Sequence, residues 1–141
     1  MERYLPQKLL VEHSVENLSL TRTIIERLKG VPLEYVEEVK PGSPGVINDE
    51  PVDGNETLLL AANRGRFFEP CPGTKHYLCC MYKILNFASN CHLNCTYCIL
   101  QAYLNNPYMV LYTNTDDMFK ELDETFDGNL NSFSRVGTGE Y

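Results

Sequence analysis

Cys91, Cys95 and Cys98 stand together in the run CHLNCTYC. Thiolates spaced by three and then two residues can wrap one corner of a cuboidal cluster and give one sulfur to each of three irons. Thiolate is the usual protein ligand of iron–sulfur clusters. Such a set leaves the fourth iron without a protein ligand, and an open metal position is where a substrate or cofactor coordinates. Two other readings compete. A zinc site pairs two CxxC-like hooks, or hooks of Cys and His; here only Cys95 and Cys98 make one, with Cys91 and His92 left to complete it. The third reading is three buried thiols.

The other cysteines, Cys71, Cys79 and Cys80, also fall in this middle stretch, and the first 70 residues have none. Cys79 and Cys80 are adjacent, so their side chains cannot easily share one metal. All three read as buried thiols acting as small apolar residues. His13, His76 and His92 have no partner pattern that singles them out. Arg64, Arg66, Lys75 and Lys83 form the densest basic stretch and read as solvated surface rather than as a contact to a DNA backbone.

The elements that must position the cysteines follow from periodicity. Lys8 to Glu12 (KLLVE) suits a strand. Val15, Leu18, Ile24, Ile25 and Leu28 recur at helical spacing, and Gly30 and Pro32 stop that helix. Leu33 to Val39 alternates as a half-buried strand does. Residues 40–55, rich in Pro and Gly, read as a loop or linker. Thr57 to Ala62 is a short apolar strand or a buried turn, and Arg64 to Lys75 reads as irregular. Tyr82 to Ala88 (YKILNFA) reads as one buried strand leading into the cysteine loop. Tyr108 to Tyr112 is a short strand. Thr115 is the expected N-cap of a helix with Met118, Phe119, Leu122 and Phe126 on one face, ended by Gly128. Ser132 to Val136 is a strand running into Gly137. Strand, loop, helix and strand in this order predict a parallel βαβ unit.

The chain has 141 residues, a net charge of −7 and 43% hydrophobic residues. That composition is globular. The negative charge argues against the whole surface being a phosphate-binding face. No apolar core of signal-peptide length opens the chain, and no stretch nears the ~18 apolar residues of a membrane span. The chain therefore reads as cytoplasmic, where thiols stay reduced.

Several ordered blocks carry a resemblance. Cx3CxYC after a buried strand is the cluster motif of the radical S-adenosylmethionine (SAM) superfamily. With Arg64 to Tyr82 (RGRFFEPCPGTKHYLCCMY), Ile84 to Gln101 (ILNFASNCHLNCTYCILQ), Val110 to Asp117 (VLYTNTDD) and Arg135 to Tyr141 (RVGTGEY), the sequence resembles the spore photoproduct lyase family and its relatives. The likeness is strongest from Arg64 onward.

The resemblance implies an α/β fold: a partial (β/α)6 radical SAM barrel beginning near residue 64, incomplete after its second strand, and preceded over residues 1–63 by a small βαβ-like region and linker. A full eight-unit barrel takes ~250 residues, so six units need ~190, and little independent activity is expected of this length of chain. It implies a [4Fe–4S] cluster on Cys91, Cys95 and Cys98, with SAM bound to the open iron. Reductive cleavage of SAM would give a 5′-deoxyadenosyl radical that takes a hydrogen atom from the substrate. Tyr97 matches the motif's aromatic position near the adenine, with ordinary packing under the loop as the plain alternative. Gly137, Thr138, Gly139 and Glu140 resemble the glycine-rich segment that binds the amino group of SAM. Glycines let backbone carbonyls approach a ligand, and a carboxylate favours a cationic amine. The partners implied are DNA containing a methylene-bridged thymine dimer, cleaved at a carbon–carbon bond, and an electron donor such as flavodoxin or ferredoxin.

Two departures separate this sequence from the lyases it resembles. They tend to carry tyrosines on both sides of the third cysteine, whereas Ile99 follows Cys98 here. They also use a cysteine soon after the second barrel strand as hydrogen-atom donor; that position falls at or near Glu140, and no cysteine follows Cys98. A lyase-like radical SAM protein with a different substrate, or a non-catalytic iron–sulfur or zinc-binding module, are therefore the alternative functions.

Overall fold

The computed structural model describes residues 4–39, 46–47, 50–51, 56–71, 76, 78, 82–93, 95–98, 108–126 and 134–138. In chain order the elements are β1 (Lys8–Glu12), α1 (Ser19–Arg27), β2 (Leu33–Val36), β3 (Val46–Ile47), β4 (Glu50–Pro51), β5 (Thr57–Ala61), β6 (Phe68–Pro70), β7 (Tyr82–Leu85), β8 (Ala88–Ser89), β9 (Met109–Tyr112), α2 (Thr115–Phe126) and β10 (Arg135–Gly137).

The mixed α/β fold is built on a five-stranded sheet, ordered β2-β1-β5-β9-β8. Its first four strands are parallel and β8 is antiparallel to β9. Parallel strands buried on both faces read as continuous apolar runs, and β1 and β5 do so. Leu9, Val11, Val15 and Leu60 meet Ile24, Ile25 and Leu28 of the α1 side. Leu10, Leu59, Val110, Val36, Ala61 and Tyr108 form the core on the opposite face. Gly30, at φ +106°, turns the chain after α1 in a conformation that glycine adopts without strain. The sheet draws strands from both sides of residue 63.

A second, three-stranded sheet is ordered β10-β7-β6. β7 and β10 are parallel and β6 is antiparallel to β7, so the expected parallel strand pair, one strand before the cysteine loop and one after the helix, is present. Phe126 of α2 meets the ring of Phe68 edge-on at 5.3 Å. Among the described residues no helix is long and apolar enough to cross a membrane.

Several sequence expectations are corrected. Tyr82 to Ala88 is not one strand: it breaks at Asn86 and Phe87 into β7 and β8, which join different sheets. The Asn86 amide donates to the Phe67 carbonyl at 2.7 Å, and the next carbonyl, of Phe87, accepts from Tyr112 at 3.0 Å. Arg64 to Lys75 is not wholly irregular, because it contains β6. The loop of residues 40–55 contains the antiparallel β3–β4 pair. The strand begun at Leu33 stops at Val36. Thr115 is the first helical residue rather than the cap, and Asn114 stands before it. Phe119 is 57% exposed and does not face the core. Gly128, Ser132 and Phe133 lie outside the described residues.

Charge at the end of β1 holds the fold together. Glu12 is 1% exposed. Its carboxylate accepts from the amides of Val39 and Ala62, each at 3.2 Å, and from the Ser14 hydroxyl at 3.1 Å. Arg64 completes the set with a 3.1 Å ion pair to Glu12 and a 3.4 Å one to Glu38. Arg64 is thus engaged by two carboxylates and is not simply solvated surface. Buried polar groups left without a partner cost about 1–3 kcal/mol each. Glu12→Ala strands two loop amides and is expected to lower unfolding stability by about 3 kcal/mol. Arg64→Ala, whose side chain is 42% exposed, should cost about 1 kcal/mol. Urea unfolding of the two variants checks the order; equal losses would show that Arg64, and not the backbone amides, is the partner that matters.

Candidate metal and cofactor site

The cysteine loop starts where β8 leaves the five-stranded sheet. Cys91, Cys95 and Cys98 are free thiols, all half-buried. The Leu93 amide donates to Cys91 Sγ at 3.4 Å. The Cys98 amide donates to the Cys95 carbonyl at 3.0 Å, closing a turn over Thr96 and Tyr97. The three cysteines thus share one short loop. Among the described residues, no three His, Cys, Asp or Glu side chains are gathered closely enough to hold one metal ion. The donor set itself suits an iron–sulfur cluster: thiols only, unoxidised, partly shielded from water, with an amide directed at one sulfur.

Tyr97 is 89% exposed on the turn, so it does not pack under the loop. His92 stacks obliquely on Tyr4, with ring centroids 4.6 Å apart. His13 stacks on Tyr35 and lies 3.4 Å from Glu16. His76 is exposed. Cys71 is half-buried rather than buried, and its amide donates to the Tyr82 carbonyl. Cys79 and Cys80 lie outside the described residues.

The glycine-rich segment is described in part. Gly137 ends β10 beside Ile84, and Thr138 is exposed; Gly139 and Glu140 lie outside the described residues. β7 and β10 run the same way, so Gly137 lies at the end of the sheet from which the chain continues toward Cys91. A Cβ at Gly137 would overlap the phenol of Tyr82. Close approach by that ring is one reason for glycine at this position.

Sequence reasoning missed the polar contacts that support the loop. The amide of Asn63 donates to Asn114 Oδ1 at 2.9 Å, and Asn114 Nδ2 returns a bond to the Asn63 carbonyl at 3.1 Å. Asn63 Nδ2 also reaches the Asn86 carbonyl at the bend, at 3.5 Å. Glu121 of α2 accepts from the amides of Phe67 and Phe68 at 2.8 and 3.1 Å. The hydroxyls of Thr21 and Thr113, both buried, bond at 2.8 Å and tie α1 to the end of β9. Lys83 is not free surface charge: its ammonium lies 5.1 and 5.2 Å from the rings of Phe68 and Phe126. Burial pushes the Tyr108 phenol above its ordinary pKa. An Asn or Glu placed beside a predicted bend or edge strand is the only sequence signal for these contacts, and it is a weak one.

The Gly137 contact makes a prediction. Gly137→Ala should destabilise the protein by about 1–3 kcal/mol, as overpacking does. Adding Tyr82→Leu should recover part of that loss. Thermal melting of the single and double variants checks it, and a double variant no more stable than Gly137→Ala would remove Tyr82 as the cause.

No protein-family profile matches the chain, and no curated protein sequence matches it. Solved structures do. A point mutant of spore photoproduct lyase aligns with a TM-score of 0.72 at 19% identity, covering 96% of this chain and 40% of its own. Spore photoproduct lyase complexed with dinucleoside spore photoproduct aligns at 0.73 and 18% identity, with the same coverage. A double mutant with bound AdoMet and dinucleoside spore photoproduct aligns at 0.72 and 20%. The chain spans about two-fifths of the length of these lyases, and over nearly all of its own length it has the fold of spore photoproduct lyase.

Proposed function

We propose that this is a radical SAM protein of the lyase-like kind, with a [4Fe–4S] cluster on Cys91, Cys95 and Cys98. The observation that carries the reading is the set of three free thiols on the loop after β8, in a chain whose fold matches a lyase structure with AdoMet bound. β7 and β10 are then the first two strands of a (β/α)6 barrel, joined through the cysteine loop and α2. When bound, the cluster and SAM supply one-electron cleavage of the cofactor, and the protein supplies position and exclusion of side reactions. Tyr97, exposed beside Cys98, would stack on the adenine. Gly137, Thr138, Gly139 and Glu140 would bind the amino group of SAM, through backbone carbonyls and the Glu140 carboxylate. DNA is the substrate class suggested by the dinucleoside ligands of the similar structures, and flavodoxin or ferredoxin is the suggested electron source.

One sequence fact favours a reaction other than thymine-dimer repair. A thiol S–H bond is weak enough to quench a carbon radical and a carboxylate cannot do so, and the position that the resemblance gives to the lyases' hydrogen-donating cysteine falls at or near Glu140 here. The protein is therefore expected to cleave SAM but to restore thymine from the dimer poorly.

Two measurements test this. Anaerobically reconstituted protein should be brown and hold about four irons per chain, and Cys95→Ala should hold almost none; normal iron in that variant, or stoichiometric zinc in protein purified without air, overturns the cluster. Cluster-loaded protein given a reductant, SAM and dimer-containing DNA should form 5′-deoxyadenosine with little thymine restored. Catalytic restoration of thymine would return the protein to the repair lyases.

A further inference from the structure

We propose that Asn90 is the positioning residue of the cysteine loop, setting the direction in which Cys91 leaves the sheet. The inference rests on the reading of the three thiols as cluster ligands, and its own evidence is local geometry. Asn90 has φ +70°. Non-glycine residues seldom adopt this region, and Asn is among those that do so at least cost. The turn falls at the end of a ladder: β8 pairs with β9 through Ala88 opposite Leu111 and Ser89 opposite Val110. At the next residue the left-handed backbone swings the main chain out of the sheet.

The side chain of Asn90 then bonds in both directions. Its Oδ1 accepts from the Cys91 amide at 2.8 Å. Its Nδ2 donates to the carbonyl of Tyr108, eighteen residues on, at 3.3 Å. The amide thus continues the β8–β9 ladder by one rung after the backbone has left it. Tyr108 is fully buried in the core, so the far end of this rung is anchored. Cys91 begins the loop from a fixed point, with its own amide held by Asn90 and its sulfur facing the Leu93 amide. Groups one layer behind a metal ligand commonly set its orientation, and their loss costs about 10–100-fold in metal affinity.

Two variants separate the two bonds. Asn90→Gly keeps the backbone conformation and loses both. Asn90→Asp keeps the acceptor for Cys91 and puts a carboxylate oxygen where Nδ2 donated to Tyr108. Amide exchange at Cys91 is measured in the metal-free chain, and the rate of iron loss to a chelator is measured after anaerobic reconstitution. The expected pattern is split. In Asn90→Gly both the Cys91 amide and the iron exchange about tenfold faster or more than in the unaltered protein. In Asn90→Asp the amide stays slow while iron loss is accelerated about tenfold. Unchanged iron loss in both variants overturns the proposal. So does faster amide exchange of the same size in both, which would mean that the loop has merely loosened. If the unaltered protein takes up no iron, the cluster reading fails by itself. The role of Asn90 in placing Cys91 is then decided by the amide alone, and equal exchange in all three proteins overturns it.

Discussion

One stretch of chain, Tyr82 to Ser89, has to serve two sheets, and the rest of the structure is arranged around that demand. Its first half is the central strand of the three-stranded sheet, between β10 and β6; its second half is the edge strand beside β9. A strand cannot hold both registers while straight. The break at Asn86 and Phe87 resolves this, and three bonds hold it: Asn86 to the Phe67 carbonyl, Tyr112 to the Phe87 carbonyl, and Asn63 to the Asn86 carbonyl. The cysteines follow this bend within a few residues. Their position therefore depends on the parallel sheet built by β1, β5 and β9 and not on the small sheet alone.

Long side chains complete what the backbone ladders leave open at the sheet ends. Glu12 satisfies two loop amides, Glu121 satisfies two more, and Asn63 and Asn114 bond each other's main chain. Among the described residues no buried side-chain nitrogen or oxygen is left without a partner. Buried polar groups are tolerated on this condition. The consequence is that the loops after β1, β2 and β5 are fixed to one another at the same end of the parallel sheet. Arg64 belongs to that junction, and so its charge is spent within the protein.

The parts of the fold legible in the sequence are those where one short run carries its own pattern. KLLVE and TLLLA announce strands buried on both faces, and α1 shows through Ile24, Ile25 and Leu28 because one helical stripe meets one sheet face. The spacing of the cysteines is a local property too, and it is open to reading for the same reason. What periodicity could not reveal is which sheet a strand joins: YKILNFA reads the same whether it is straight or divided. β6 escaped because it is three residues long and ends at Pro70, too short for any period to emerge. Glu12 and Arg64 are 52 residues apart and Asn63 and Asn114 are 51 apart, and no local signal joins either pair. The left-handed backbone at Asn90 is likewise a response to the end of a ladder eighteen residues away in the chain.

Gly137 shows how a motif and its packing constrain one another. As a residue of GTGE it suggests a backbone open to a ligand. In the structure the space above its Cα is taken by the phenol of Tyr82, a residue of the neighbouring strand two positions before its paired partner Ile84. These are compatible only if a ligand uses the main chain of the segment and not the volume beside the Cα. A cofactor amino group held by carbonyl oxygens would satisfy that condition, since it needs acceptors and no cavity for a side chain. Tyr82 would then form a wall of the site, and β7 would contribute to it twice. It would supply the ring that lies over Gly137, and it would supply the strand that, after its bend, delivers the cysteines.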